Sequence, residues 1–521
     1  MTRHVLCVDL GTSALKVALV SMTGKVVASE QETHQVTLLP GGGAEQDPRH
    51  WWELITKASS RLMARGVVPP GSVAAVACTA QWSGMVAVDE HGEPIRHAII
   101  WMDSRGAPYV RRITGGAVRV QGYGVVRLAR WLRVTGGIPA HSGKDPIAHI
   151  LWLKHEEPES YQRAHLFLEP KDWLNARLTG RLAASFDSVA LHWLTDNRHP
   201  DRVRYDPALL RMAGIDESRL PGLLAATDIL GPLSPGPASA LGVPAGIPVV
   251  VGTPDLQSAA IGSGAVRDYQ AHLYIGTSSW LTCHVPFKKT DLLHNMASLP
   301  SPVPGRYFIA DEQETAGAAL TFLRDRVLFG DDPPASAYRE FDRMAGRAPP
   351  GSGGVIFTPW LYGERTPVED RFVRGGFHNL SLSASREDLV RAVFEGVAFN
   401  TRWLLGAVER FTRRRLDPIR FIGGGARSDV WCQIVADVLG RTIEQVADPV
   451  NAGARGVGLL AAVALGELTF NQVPDRVRVA ASYQPNPAPA KLYDDLFREF
   501  VGFYRHNRRA HARLNRERTR T

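Results

Sequence analysis

The sequence predicts an α/β protein that contains two domains of related build. A strand, a glycine-containing turn and a second strand open the chain at residues 5–20, and this pattern returns at residues 272–283. The second half also alternates strand-like and helix-like apolar patterns. The chain has 521 residues, more than one domain with a single hydrophobic core usually contains, so two or three domains are expected.

The two halves begin in a similar way. β-branched apolar residues predict strands at residues 5–8, 17–20 and 26–28, with the first turn at residues 11–13. In the second half, Gly276-Thr277-Ser278 forms the corresponding turn. Turns of this kind leave backbone N–H groups unpaired, and such groups bind phosphate readily. We therefore expect one phosphate-binding turn in each half.

The domain boundary is expected within residues 231–248, which contain five prolines and four glycines and are typical of a surface connection. This places the first domain at residues 1–245 and the second at 246–480. A strand at residues 249–252 would open the second domain.

Further elements of the second half follow from its apolar periodicity. The pattern predicts strands at residues 355–358 and 420–422, and helices at 386–410, 428–439 and 456–466. Residues 481–521 are predicted to form an amphipathic helix, starting near Ala490, and an arginine-rich tail.

Composition argues against several classes of protein. Hydrophobic residues make up 44% and charged residues 21%, as in ordinary globular proteins. Residues 502–521 hold seven arginines and one acid, so the tail carries most of the net charge of +8, and the nearly neutral body does not favour nucleic-acid binding. Apolar runs are too short for a signal peptide or a membrane span. The four separated cysteines lack disulfide or zinc spacing, so a cytoplasmic protein with reduced thiols is expected.

The first candidate site is the turn after the first strand, with Asp9, Thr12, Ser13 and Lys16. A carboxylate at a strand end can hold Mg²⁺ through water molecules, and hydroxyl and ammonium groups can contact phosphate oxygens. The alternative is a plain β-hairpin with a solvated aspartate.

The second candidate site is the glycine run at residues 423–425, which follows an apolar strand and precedes a helix near Ser428. Glycines let a flat ligand approach the backbone, and a helix N-terminus favours anions. The alternative is a flexible connection between strand and helix.

The third candidate site is Thr253-Pro254-Asp255, just after a predicted strand. Thr253 suits a helix N-cap, Pro254 the first helical position and Asp255 the first turn. An acid in that turn can simply stabilise the helix dipole. Phosphoryl transfer, however, needs phosphate donors, a metal and a carboxylate that deprotonates the attacking hydroxyl, and the three sites together would supply them.

These motifs resemble the FGGY family of carbohydrate kinases, most closely its xylulokinase branch, from about residue 5 to residue 466. The matching segments are Asp9-Leu10-Gly11-Thr12-Ser13, Glu45-Gln46-Asp47-Pro48, Pro170-Lys171-Asp172, Ile275-Gly276-Thr277-Ser278, Gly363-Glu364-Arg365-Thr366-Pro367, Glu395-Gly396-Val397 and Ile422-Gly423-Gly424-Gly425-Ala426-Arg427-Ser428. The resemblance implies two actin-like (ribonuclease H-like) domains with ATP and sugar bound in the cleft between them.

The resemblance also implies roles for individual residues. Asp255 matches the general base, which also contacts the sugar, and Asp9 matches the Mg²⁺ site. The residues expected to bind ATP are Thr12, Ser13, Lys16, Gly276, Thr277, Gly424, Gly425 and Ser428. Those expected at the sugar are Gln81, Trp82, Ser83, Trp101 and Asp103.

The sugar pocket departs from the xylulokinase pattern. Gln81-Trp82-Ser83-Gly84 stands where that branch has Gln-Met-His-Gly, Leu256 follows the base, His149 replaces a lysine and Asn379 a glycine. Trp82 could stack on a sugar or belong to the core. We expect an ATP- and Mg²⁺-dependent kinase with D-xylulose as the leading acceptor. The alternatives are another pentulose or a polyol as acceptor, or an actin-like ATP-binding sugar sensor with little turnover. A homodimer is compatible with the sequence, and neither nucleic acid nor membrane is an expected partner.

Overall fold

The computed structural model describes residues 2–330 and 332–516, so residues 517–521 of the predicted tail lie outside the described part. The strands of the first half are β1 (His4–Leu10), β2 (Ala14–Ser21), β3 (Val26–Thr33), β4 (Thr37–Leu39), β5 (Gly43–Gln46), β6 (Val73–Ala80), β7 (Val86–Val88), β8 (Ala98–Ile99), β9 (Arg119–Val120), β10 (Tyr123–Gly124), β11 (Leu166–Leu168), β12 (Ala183–Ser185), β13 (Thr195–Asp196), β14 (Arg204–Tyr205), β15 (Gly222–Leu224), β16 (Ile229–Pro232) and β17 (Pro248–Val250).

The strands of the second half are β18 (Ala271–Ile275), β19 (Ser279–Val285), β20 (Thr290–Asp291), β21 (Met296–Pro300), β22 (Tyr307–Gln313), β23 (Ile356–Thr358), β24 (Gly376–His378), β25 (Ile419–Ile422), β26 (Ile443–Val446) and β27 (Val479–Tyr483). The helices are α1 (Pro48–Ala64), α2 (Ala107–Thr114), α3 (Val125–Val134), α4 (Pro146–Glu156), α5 (Pro158–Arg163), α6 (Pro170–Thr179), α7 (Pro207–Ala213), α8 (Pro235–Leu241), α9 (Asp255–Ser263), α10 (Gly317–Phe322), α11 (Ala337–Arg347), α12 (Arg386–Thr412), α13 (Asp429–Leu439), α14 (Ala452–Ala464), α15 (Val473–Arg476) and α16 (Ala490–Asn515).

The two halves repeat one sheet topology. The first sheet has the strand order β16-β17-β6-β1-β2-β3, and the second has β20-β21-β22-β19-β18-β25-β26-β27. In each, an antiparallel three-stranded unit that starts at β1 or β18 is extended on the other side by two parallel strands. The predicted α/β class with two domains of related build is therefore confirmed.

A shared core joins the halves. Helices α9 and α14 pack together, with Ser258 Oγ donating to the Gly453 carbonyl at 2.8 Å and Arg455 Nε donating to the Gly262 carbonyl at 2.7 Å. Apolar side chains of both helices pack with Val5 of the first sheet and Ile422 of the second. Central strands of both sheets thus pack against this pair of helices.

The predicted surface connection at residues 231–248 is wrong. Strand β16, helix α8 and strand β17 occupy it, and its prolines fit them, since Pro235 opens the helix and Pro232 ends a strand at the sheet edge. Strand β17 lies beyond residue 245, yet it pairs with β6 of the first sheet.

The final helix α16 starts at Ala490, as its periodicity predicts, and packs along the second half. Phe500 is fully buried against Trp360 and Phe399, and the ring of Tyr504 contacts Trp360. The part of the predicted tail up to residue 516 is therefore largely a packed helix. Among the described residues, no helix combines the length and apolarity needed to cross a membrane.

Candidate active site

Three predicted segments meet at one edge of the first sheet, where the parallel strands β1, β6 and β17 end. The register places Asp9 beside Thr79 and Val250 beside Ala77. Gln81 follows β6 directly, and α9 begins at Asp255 shortly after β17. Since parallel strands present their carboxyl ends at the same edge, the turns that carry these residues lie together.

Asp255 is the first residue of α9, and its Oδ1 accepts the backbone N–H of Leu256 at 2.9 Å. The expectation that Thr253 caps this helix is wrong, because Pro254 occupies the N-cap position. The Thr253 hydroxyl donates instead to the buried carboxylate of Asp187, so it is not available to the helix N–H groups.

The carboxyl groups of Asp255 and Asp9 influence each other. Burial, the negative charge of Asp9 and that of Glu312 raise the pKa of Asp255 to about 8, against the N–H of Leu256, which lowers it. Burial also raises the pKa of Asp9, and the positive charge of Lys16 partly opposes that. The two acids therefore share one poorly solvated region in which a proton or a cation is favoured.

Asp9 lies against the N-terminus of α14. A methyl group on Gly453 would approach its Oδ2 to 2.5 Å, so a larger residue there would displace the carboxylate or the helix. Among the described residues no group of three or more acid, histidine or cysteine side chains could hold a metal ion. Mg²⁺ nevertheless fits Asp9, since this ion keeps several water molecules and takes one or two carboxylates together with phosphate oxygens.

The predicted phosphate turn of the first half is partly engaged within the protein. The Thr12 hydroxyl donates to Gln81 Oε1 at 3.0 Å and accepts from Trp101 Nε1 at 2.9 Å. Lys16 Nζ donates to the Val450 carbonyl at 2.9 Å and keeps two further N–H donors. Ser13 is exposed at the tip of the turn.

The two glycine turns of the second half are neighbours. Strands β18 and β25 run parallel with Tyr274 beside Ile422, so Gly276-Thr277 and Gly424-Gly425 emerge together, with Thr277 and Gly424 exposed. Ser428 is the N-cap of α13: its Oγ accepts the Trp431 N–H at 3.0 Å and donates to Asp342 Oδ1 at 2.5 Å. The Gly276 N–H and the carbonyls of Gly276 and Thr277 are bonded within the protein, so the turns present Thr277 and Gly424 as their exposed residues. The Ser428 hydroxyl is satisfied internally.

The expected sugar turn follows β6. Gln81 Nε2 donates to Gln46 Oε1 at 2.8 Å, and Ser83 has a left-handed φ of 67° with its Oγ donating to the Lys144 carbonyl at 2.9 Å. Trp82 packs in an apolar cluster and donates Nε1–H to the Ser188 carbonyl at 2.8 Å. The residue is 7% exposed, so Trp82 is packed mainly within the core.

Trp101 and Asp103 differ in exposure. Trp101 is partly exposed beside Thr12, whereas Asp103 is buried and accepts N–H groups from Ala44 and Arg105, both at 2.9 Å. The carboxylate of Asp103 is therefore occupied by protein donors. The ring nitrogen of His149 lies 3.3 Å from the Asp103 carbonyl, and burial lowers the pKa of His149 to about 4.

Four charged residues that the sequence did not single out line the same region. Lys144 lies 4.0 Å from Glu314 and 5.8 Å from the centre of the Trp101 ring, and Arg365 pairs with Glu314 at 3.0 Å and with Glu312. Arg365 belongs to one of the segments that resemble the FGGY family, but no role was predicted for it, and no sequence pattern pointed to the other three residues. Burial and Arg365 lower the pKa of Lys144, although Glu314 opposes them. Lys144 thereby joins the first half to the second.

Comparisons with known proteins identify the family. Models of the N-terminal and C-terminal domains of the FGGY family of carbohydrate kinases match residues 4–262 and 271–465. The chain is 28% identical to a xylulose kinase of Staphylococcus epidermidis over 98% of each chain, and 25% identical to a gluconokinase of Bacillus subtilis over 97% and 96%. The crystal structure of a ligand-bound xylulose kinase from Lactobacillus acidophilus shares the fold, with a TM-score of 0.86 at 24% identity over 98% and 100%.

The matched models cover both halves, and the similarity to sugar kinases extends over nearly the whole chain. The paired sheets and their facing turns agree with the two actin-like domains of such enzymes. The chain therefore belongs to the FGGY family of carbohydrate kinases and is an ATP-dependent sugar kinase.

Proposed function

We propose that this kinase transfers the γ-phosphoryl group of ATP to a hydroxyl of a ketopentose, with D-xylulose as the leading candidate. The observation that carries the proposal is the position of Asp255. It stands at the start of α9, near Asp9, and follows a strand that runs parallel to the one that ends at the turn of residues 81–84. Relatives named xylulose kinase, matched over nearly their full length, support the choice of sugar.

Asp255 is proposed as the general base that accepts the proton of the attacking hydroxyl. Burial and the charge of Asp9 raise its pKa to about 8, so the carboxylate has an unusually high affinity for a proton. Leu256 N–H bonds one carboxylate oxygen, which fixes the side chain and leaves the other oxygen for the acceptor. Asp255 is partly exposed.

The nucleotide would lie on the side of Asp9 opposite to Asp255 and the acceptor. Ser13, Lys16, Thr277 and the open backbone at Gly424 are proposed to bind its phosphates and adenosine. Asp9 would hold Mg²⁺ through water molecules. When bound, the ion neutralises charge on the phosphate oxygens. Thr12 and Ser428, whose hydroxyls are bonded within the protein, would then shape the turns more than they contact ATP.

The acceptor would bind between the turn of residues 81–84 and Trp101. The partly exposed Trp101 ring would border that space together with Gln81 and Ser83, which are 2% and 8% exposed and bonded within the protein. Trp82 and Asp103 would support it from within the protein. A small neutral polyhydroxy compound suits short hydroxyl and amide groups next to an aromatic face.

A second candidate acceptor is a sugar acid. Lys144 lies beside Trp101 and Ser83, and its nearest carboxylate, Glu314, is 4.0 Å away, which leaves most of its charge available. A carboxylate on the acceptor would pair with that ammonium group. Relatives named gluconokinase agree with this candidate.

A panel of acceptors tests the proposal. The purified protein is assayed for ADP release with D-xylulose, other pentuloses, alditols and aldonates at saturating Mg-ATP. We expect the highest kcat/KM for D-xylulose. The highest value for an aldonate, lost in Lys144→Met, would replace D-xylulose by the second candidate, and a highest value for an alditol would overturn both.

A further inference from the structure

The loop that leads to Asp255 is held by buried side chains of helix α6. The carbonyl of Val251 accepts hydrogen bonds from Lys171 Nζ at 2.9 Å and from Asn175 Nδ2 at 2.6 Å. Lys171 is 1% exposed and Asn175 is fully buried. A lysine ammonium group in such a place is costly, so its bonds must be well made. The carboxylate of Asp172, which Lys171 contacts directly, supplies the opposite charge.

The next part of the loop is held at Thr253. Its hydroxyl donates to the Asp187 carboxylate, and its carbonyl accepts from Thr79 Oγ1 at 2.8 Å. Between these anchors, Gly252 has a φ of 75°, and a methyl group there would lie 2.3 Å from the Cys78 carbonyl. Backbone and side chain are thus both restrained on the residues immediately before Pro254.

Residues 169–188, which include the side chains that hold this loop, also support the turn of residues 81–84. Glu169 Oε2 accepts the Gly84 N–H at 3.0 Å, and the Ser188 carbonyl accepts Trp82 Nε1–H at 2.8 Å. Ser188 Oγ also donates to Asp172 Oδ2 at 2.7 Å. This bond links the side chains that hold Val251 to those that hold Thr253. One buried polar set therefore joins the loop of Asp255 to the turn that borders the acceptor.

We propose that Lys171, Asn175 and Asp187 are positioning residues that fix the carboxylate of Asp255 relative to an acceptor held at residues 81–84. Lys171 and Asn175 act through the Val251 carbonyl and Asp187 acts through the Thr253 hydroxyl, not by touching the acceptor. This inference rests on the proposed role of Asp255 as the base. Misplacing a reacting group by about 1 Å can cost about 100-fold in rate, so the set should affect turnover strongly.

The test compares Thr253→Val, which removes the hydroxyl that bonds Asp187, with Thr253→Ser, which keeps it. Thr412→Val is the matched control, because that buried hydroxyl bonds only to carbonyls of its own segment. For the best acceptor of the wild-type protein, we expect kcat of Thr253→Val to fall about 10- to 100-fold, with the KM for ATP within about threefold. Thr253→Ser should recover most of that loss.

Equal kcat values in Thr253→Val and Thr253→Ser would overturn the inference, as would a rise in the KM for ATP as large as the fall in kcat. If Thr253→Val does not fold, as judged by circular dichroism, Asn175→Ala carries the same expectation, and wild-type kcat in it would overturn the inference. The Asp255→Asn variant distinguishes a failure of the base assignment from a failure of the positioning role. Full turnover in that variant contradicts the base assignment, whereas an inactive Asp255→Asn beside an unimpaired Thr253→Val contradicts only the positioning role.

Discussion

Asp9 lies close enough to Asp255 for its negative charge, together with burial, to raise the pKa of Asp255 to about 8. Asp9 belongs to strand β1, and Asp255 is the first residue of helix α9, which follows β17. Tyr274 of the second sheet is near both, since burial and these two charges raise its pKa to about 12. The region between the sheets is thus one where negative charges meet at short range in poor contact with water.

The raised pKa of Asp255 should make stability depend on pH. In the unfolded chain its pKa is about 4, so between pH 4 and pH 8 the unfolded state releases a proton that the folded state keeps, and the wild type loses stability as the pH rises. Asp255→Asn should match the wild type near pH 4 and exceed its unfolding free energy by up to about 5 kcal/mol at pH 8, since each unit of pKa difference is worth about 1.4 kcal/mol. Urea denaturation at pH 4, 6 and 8 measures this. The exposed Asp475→Asn is the control, and a constant difference across pH would contradict the account.

Gly453 should be needed for the geometry at Asp9. An alanine methyl group would lie 2.5 Å from Asp9 Oδ2, so the carboxylate or α14 must move. We expect Gly453→Ala to reduce kcat/KM for Mg-ATP about tenfold or more. Gly236→Ala is the control, because a methyl group on that helical glycine meets open space. Equal kinetics in the two variants would show that Asp9 tolerates the displacement.

Ser83 should influence the choice of sugar. Its left-handed backbone conformation accepts histidine better than most residues, so Ser83→His is expected to fold. The added ring nitrogen should raise kcat/KM for D-xylulose relative to the preferred acceptor by about tenfold, with the KM for ATP changed only a few-fold. The measurement is kcat/KM over a sugar panel, with the exposed Ser218→His as control. An unchanged sugar ranking with a large rise in the KM for ATP would show that this turn contacts the nucleotide and not the acceptor.

The last helix should contribute to stability. Phe500 is fully buried against Trp360, Phe399 and Trp403, so Phe500→Ala should cost about 3–5 kcal/mol. Leu514→Ala, at a side chain that is 72% exposed, should change the free energy of unfolding by less than about 0.5 kcal/mol. Urea denaturation of both variants compares them. Similar small losses would mean that the helix adds little to the fold.

The main elements could be predicted from the sequence, because the central strands are buried on both faces and appear as continuous apolar runs, such as residues 5–8. The region 231–248 could not, since its prolines occupy a helix start and an edge strand where proline is tolerated. The turn at Asp255 was located by its residue types. Lys144 and Glu312 were missed because their partners are distant in sequence: Lys144 pairs with Glu314 across 170 residues, and Glu312 pairs with Arg365. The assignment of the general base, and the division at residue 245, stay predictions.

The central claim is that Asp255 removes the proton of the sugar hydroxyl, and the Asp255→Asn variant tests it most directly. The measurement pairs sugar-dependent ADP release with the Kd of ATP, with Asp475→Asn as the control. The account predicts that kcat falls about 10²- to 10⁴-fold while the Kd for ATP stays within about threefold of wild type. Turnover within about threefold of wild type would contradict the claim, since loss of a general base cannot leave the rate intact.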